Sequence, residues 1–75
     1  MEAARSGLAE AEKRLGDWYK EGIVVNEDLK RAVRLYKKAS DNGAVEATVE
    51  LGICYSDGIG VKQNEKKAKK LSFIF

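Results

Sequence analysis

The sequence predicts an all-α fold in which antiparallel helix–turn–helix repeats stack as a short α-solenoid. Three observations carry that expectation. The first is an internal repeat of 36 residues: sliding residues 1–39 onto 37–75 gives 13 identities in 39 pairs. Self-similarity at a period of 20–50 residues marks architectures in which each unit is too small to bury its apolar face alone and neighbours cover it. The second is composition, with no proline and abundant Ala, Leu, Lys and Glu, all of which favour helix. The third is apolar residues three and four apart between glycines, the periodicity of a one-sided helix.

The elements follow in order. Residues 1–6 are expected to be the end of a preceding helix, with Gly7 beyond its end because glycine accepts the left-handed conformation that finishes helices. The first repeat covers residues 8–42. Its first helix is expected over 8–21, with Leu8, Ala11, Leu15, Trp18 and Tyr19 as an inner stripe and Gly22 as its stop. The connector, residues 23–27, is expected to plug the hairpin base with Val24 and Val25. Asp28, with Asn26 as a rival, offers a short side-chain acceptor for an orphan N–H and so an N-cap. The second helix is expected over 29–41, with Leu29, Ala32, Val33, Leu35, Tyr36 and Ala39 inward and Gly43 ending it. The second repeat, residues 44–75, repeats the pattern in truncated form: a helix over 44–57, a connector over 58–63, and Asn64 capping a helix that reaches Phe75. Gly16 and Gly52 lie mid-helix, where glycine costs about 1 kcal/mol relative to alanine. A repeated cost of that kind marks close helix–helix approach, and Tyr19 and Tyr55 are the expected neighbours.

Composition excludes several functions. The 75 residues make one small domain, charged content is 35% and net charge is +2 with signs interspersed. No broad field therefore invites nucleic acid or an anionic membrane. The lysine-rich run 62–70 lacks interleaved aromatics and reads as a solvated helix face. No apolar run approaches the roughly 18 residues of a transmembrane helix, and the amino terminus lacks a secretory signal's apolar segment. As written the chain is expected in the cytoplasm; as a fragment of a longer protein its location is open.

At the residue level the repeats match a known pattern. Ala11-x-x-x-Leu15-Gly16-x-x-Tyr19-x-x-Gly22, then Val25, Asp28, Ala32, Tyr36, Ala39 and Gly43, resembles the Sel1-like repeat, a relative of the tetratricopeptide repeat. Ala47-x-x-x-Leu51-Gly52-x-x-Tyr55-x-x-Gly58-x-Gly60-Val61 through Ala68 resembles it again. The resemblance implies helix pairs stacked in a right-handed superhelix that serves to assemble other proteins, without a cofactor. Three departures stand out. Val24 occupies the place of Gly60, so the first connector is expected to avoid the positive-φ turn. Ser72 replaces the aromatic Tyr36, and the second repeat stops at Phe75.

Catalytic and metal chemistry find little support. There is no histidine, the commonest base near neutral pH, and one cysteine, Cys54, cannot by itself build a zinc site. A phosphate loop at Gly58-Ile59-Gly60 lacks both the preceding strand and the following Gly-Lys-Ser/Thr. Hydrolase-like activity on a small molecule is thus the remote alternative to a binding module. Cys54 reads as a small buried side chain. Trp18 reads as core first and as an interface anchor second.

The tetratricopeptide likeness implies that the first helix of each pair lines a concave face. Glu10, Lys13, Asp17 and Lys20 then face it in the first copy, and Glu46, Val49, Ile53 and Ser56 in the second. Lys13 and Asp17 are spaced to pair with each other. Val49 and Ile53, one turn apart on a polar face, suit an apolar contact. The expected partner is a protein or peptide lying along this face, with a structural segment of a longer array as the other non-enzymatic reading. Phe73, Ile74 and Phe75 end the chain with three large apolar groups, which a solenoid normally hides. They are expected to fold back as a cap or to mediate self-association.

Overall fold

A computed structural model describes residues 2–72, with side chains from Gly7 to Leu71. It contains four helices: α1 (Glu2–Glu21), α2 (Leu29–Asp41), α3 (Val45–Asp57) and α4 (Glu65–Ser72). α1 pairs with α2, α3 pairs with α4, and α2 packs on α3 to join the two hairpins. Phe73, Ile74 and Phe75 lie outside the described residues, and so do the expectations placed on them.

α1 corrects the expected start. It runs unbroken from Glu2 through Gly7, with no helix end among the described residues 2–6. Nothing lies within 4 Å of where a Cβ on Gly7 would point. One helix-interior glycine costs only about 1 kcal/mol, which the hydrogen bonds of the flanking turns outweigh.

The two connectors repeat the same backbone hydrogen bonds. Ile23 N–H donates to the Trp18 carbonyl at 3.0 Å and Asp28 N–H to the Tyr19 carbonyl at 2.9 Å. Ile59 N–H donates to Cys54 at 2.9 Å and Asn64 N–H to Tyr55 at 2.8 Å. Asp28 Oδ1 caps α2 by accepting from Arg31 N–H at 3.1 Å, and Asn64 Oδ1 accepts from Lys67 N–H at 3.0 Å. Above these caps, the Arg31 guanidinium lies 5.2 Å from the Tyr19 ring centroid and the Lys67 ammonium 4.9 Å from that of Tyr55. Tyr19 and Tyr55 therefore close the hairpin ends, each under a cation, and do not sit beside the mid-helix glycines. The ring at Gly16 is Tyr36: a Cβ on Gly16 would stand 2.9 Å from its Cε1.

Val24 corrects two further expectations. It adopts φ 72°, matching φ 71° at Gly60, so the first connector takes the left-handed turn despite its β-branched residue. The hydrogen bonds on either side over-determine the conformation and hold the strain, which for such a residue is of order 1–3 kcal/mol. Val24 is also 80% exposed, so the hairpin base is not plugged by it, and only Val25 of the pair is half-buried.

The core lies at the junction of the two hairpins. Ala32, Val33, Tyr36 and Ala39 of α2 meet Ala47, Leu51 and Cys54 of α3, with Tyr55, Ile59, Val61 and Leu71 packed at the margin. Buried Thr48 is satisfied by the hydroxyl of Ser40 and by the Ala44 carbonyl, so the junction holds no orphan polar side chain among the described residues. Ala9 is also buried. Of the α1 stripe expected inside, Tyr19 packs against this core, whereas Leu8 is 55% exposed, Ala11 is exposed, and Leu15 and Trp18 are half-buried. The reason is positional. Ala47, Leu51 and Cys54 correspond to Ala11, Leu15 and Trp18, and they are covered because α2 precedes them. Among the described residues nothing precedes α1.

Candidate partner groove

The residues proposed for a concave face divide between two structural roles. Those of α1 are already engaged inside the molecule. Lys13 Nζ lies 2.9 Å from Asp17 and 3.6 Å from Glu46, and Lys20 Nζ lies 3.1 Å from Glu50. The Tyr36 hydroxyl donates to Asp17. Helical spacing puts Lys13, Asp17 and Lys20 on one stripe of α1, and α3 presents Glu46 and Glu50 one turn apart against it. Asp17 in turn holds Lys13 protonated above the usual lysine range, and Glu50 does the same for Lys20. Burial, then Asp17, pushes the Tyr36 phenol well above its ordinary value. These groups form a polar seam along the hairpin junction. Glu10 lies outside the seam, exposed beside Arg14 at 3.8 Å.

Of the proposed α3 residues, Glu46 is tied into this seam by Lys13, whereas the side chains of Val49, Ile53 and Ser56 are free of such ties. Val49 is 44% and Ile53 40% exposed, one turn apart on the face of α3 away from the hairpin junction. With Thr48, Gly52, Ser56, Glu65, Ala68 and Lys69 they line a cleft of about 360 Å³ between α3 and α4. Buried Gly52 and Ala68 form its floor, because neither side chain rises between the helices. Lys69 and Glu65 stand on its α4 wall. Ser56 contributes at its end, its carbonyl accepting from Gln63 Nε2 at 2.8 Å.

This cleft is the repeat-equivalent of the surface that α3 itself occupies. Shifting by 36 residues, Lys13, Asp17 and Lys20 become Val49, Ile53 and Ser56, while Ala32 and Val33 become Ala68 and Lys69. In the first set Lys13, Asp17 and Lys20 are half-buried, with Lys13 and Lys20 tied to Glu46 and Glu50 of α3. The second is open among the described residues. The groove thus presents apolar groups where the internal junction uses charge, and an ammonium where the junction uses Val33.

Trp18 falls on neither surface. With Ala11, Leu15 and Arg14 it lines a shallow face on the other side of α1, at the opposite end of the stack. Cys54 is 1% exposed, and burial pushes its thiol up, away from the reactive thiolate. Among the described residues no group of three or more His, Cys, Asp or Glu side chains could hold a metal ion, and no helix is long and apolar enough to cross a membrane.

Sequence reasoning missed two junction features. One is Tyr36 in the notch of Gly16. The other is Gly60: a Cβ there would stand 2.4 Å from the carbonyl oxygen of Leu29 and 3.0 Å from Val33 Cγ2. The signal for the second was the Val24/Gly60 mismatch itself. Glycine at that point is a requirement of the neighbouring repeat, since Val24 shows that the turn itself admits a side chain.

An array of this kind, two matching hairpins with a self-similar junction, defines a helical-repeat protein. The chain belongs to the Sel1 repeat family, whose model matches residues 9–43 and 45–72. A solved structure similar to it is a Sel1 repeat protein from Oxalobacter formigenes, with TM-score 0.82 and 35% sequence identity over 84% of this chain. The match covers 26% of that protein's chain, so this chain spans about a quarter of its length. No curated relative matches the sequence at a significant level. Sel1 repeats are generally helical repeats that mediate protein interactions.

Proposed function

We propose that the chain is a protein–protein interaction scaffold whose docking face is the α3–α4 groove, and that the occupant is a helix of a partner protein. One observation carries this reading: Val49 and Ile53 are exposed on a stripe whose counterparts are tied into the seam, Lys13 to Glu46 of α3 and Asp17 to Lys13 and the Tyr36 hydroxyl. An aliphatic pair one turn apart, beside a floor of Gly52 and Ala68, accepts small and medium apolar groups from a helix laid alongside. Lys69 and Ser56 favour acidic or hydroxyl groups at the rim. Lys13, Asp17 and Lys20 serve the scaffold by joining its repeats, and Trp18 lies too far round α1 to anchor the same ligand.

The test is a display library of helical peptides selected on the wild-type chain and counter-screened on Ile53→Glu. Binders that lose at least tenfold in affinity on Ile53→Glu, and little on Trp18→Ala, support the groove. Failure to enrich any binder, or binders indifferent to Ile53→Glu, would sink this reading. The seam favours a second, compatible role as a structural segment, since the groove repeats a surface that already seats α3.

A further inference from the structure

The two ends of the stack are not equally able to receive another repeat, and the difference rests on one side chain. At the internal junction the second connector presses against α2 so tightly that the Gly60 Cβ position lies 2.4 Å from Leu29 O and 2.7 Å from its carbonyl carbon. No side chain can be accommodated there, because the obstructing atoms are backbone. The first connector adopts the same fold and the same φ, yet it carries Val24. A helical hairpin arriving on the α1 face in the register that α2 uses on α3 would drive its own backbone into the Val24 side chain. Val24 meets no such obstacle in this chain and projects 80% exposed. It also holds a left-handed φ at which glycine would be unstrained, so the local fold alone does not account for valine.

We infer that Val24 closes the amino-terminal face to repeat-register stacking, which leaves the α3–α4 groove as the growing end. The groove then takes the first hairpin of another Sel1-type repeat bearing glycine at the Gly60 position. This deepens the proposed function by naming the occupant of the same groove. The internal junction supplies the argument: α3 shows how such a helix seats, with small and medium apolar groups in the places of Ala47, Leu51 and Cys54. The α1 face of this chain offers Ala11 and Leu15 in two of those places and the larger Trp18 in the third, so a second copy comes near to fitting the groove, and Val24, which would strike the backbone of Glu65, bars it.

That near-fit makes the chain its own probe. Trp18 is the single tryptophan and lies on the barred face, so its emission reports head-to-tail docking. Val24→Gly is expected to self-associate at least tenfold more tightly than wild type, with a concentration-dependent blue shift of Trp18 emission. Val24→Ala keeps the offending Cβ while shedding the exposed methyls, and it should behave as wild type. Val24→Gly combined with Ile53→Glu should not polymerise, yet should form a 1:1 complex with wild type by light scattering. The inference is overturned if Val24→Gly leaves Trp18 emission independent of concentration, or if Val24→Ala associates equally. It is also overturned if wild type already buries Trp18 as concentration rises, or does so once residues 73–75 are removed. In any of these cases, peptide binders still sensitive to Ile53→Glu would preserve the groove reading, so the two failures are distinguishable.

Discussion

Tyr36 lies with its ring edge in the notch left by Gly16, where a Cβ would stand 2.9 Å from Cε1 and 3.1 Å from Cδ1. The hydroxyl of the same ring reaches Asp17, the next residue along α1. One tyrosine thus fixes both the separation of the two helices of a hairpin and their rotation, and it shares the buried core with Ala47, Leu51 and Cys54 of α3. Gly16→Ala is expected to lose about 0–2 kcal/mol: overpacking costs about 1–3 kcal/mol and the helix gains about 1 kcal/mol. Gly7→Ala, in open space, should instead gain up to about 1 kcal/mol. Urea unfolding of both variants checks the contrast, and stabilisation by both would remove the notch from the account.

The Tyr36 phenol gives alkaline sensitivity a definite sign. Burial and Asp17 raise its folded value above the ordinary tyrosine value of about 10, so the neutral form is favoured in the folded chain. Its contribution is fully present below about pH 10 and is lost as pH rises beyond that. Buried Cys54, also raised, adds loss that begins nearer the ordinary thiol range. Between pH 10 and 11.5, wild type should lose stability faster than Tyr36→Phe, which should itself be about 1–2 kcal/mol weaker at neutral pH through loss of a hydrogen bond to a carboxylate. Parallel pH profiles for the two proteins would contradict this.

The seam between hairpins should be measurable as an ion pair. Lys20 and Glu50, each about a quarter exposed, meet at 3.1 Å across the junction. A double-mutant cycle with Lys20→Met and Glu50→Gln is expected to give about 0.5–1 kcal/mol of coupling, reduced in 1 M salt. The Arg14–Glu10 pair, at 68% and 75% exposure, should give nothing measurable. Equal coupling for the two pairs would mean the seam is ordinary surface charge.

Much of this was legible in the sequence because the repeat reads the same constraint twice. The caps at Asp28 and Asn64, the left-handed Gly22 and Gly58, and the core alanines Ala32 and Ala47 follow from local rules and recur at a spacing of 36. What stayed hidden depends on which neighbour is present. Ala11, Leu15 and Trp18 carry the same pattern as Ala47, Leu51 and Cys54, and only the presence of α2 decides which set is buried. Lys13, Asp17 and Lys20 looked like a ligand face because the sequence does not reveal that Glu46 and Glu50 are set against them. Proximity in sequence points to Tyr19 as the neighbour of Gly16, whereas a ring from the opposite helix, Tyr36, reaches the notch.

Val24 should be a stability defect as well as a barrier. Replacing a β-branched residue at φ 72° by glycine relieves about 1–3 kcal/mol of strain and costs about 0.5–1 kcal/mol through greater freedom of the unfolded chain. Val24→Gly at micromolar concentration is therefore expected to raise the urea midpoint, for a net gain of about 1 kcal/mol. A lower midpoint would mean the turn carries no strain.

The account rests on the second hairpin seating its connector against the first. A proton NOESY spectrum of the wild-type chain tests this directly at Gly60, whose Cβ direction points at Val33 Cγ2 from 3.0 Å. The expected result is a strong cross-peak from a Gly60 α-proton to a Val33 methyl, with Val24 showing no contact beyond its own connector. Absence of the Gly60–Val33 cross-peak in a spectrum where both resonances are assigned would contradict the stacked arrangement.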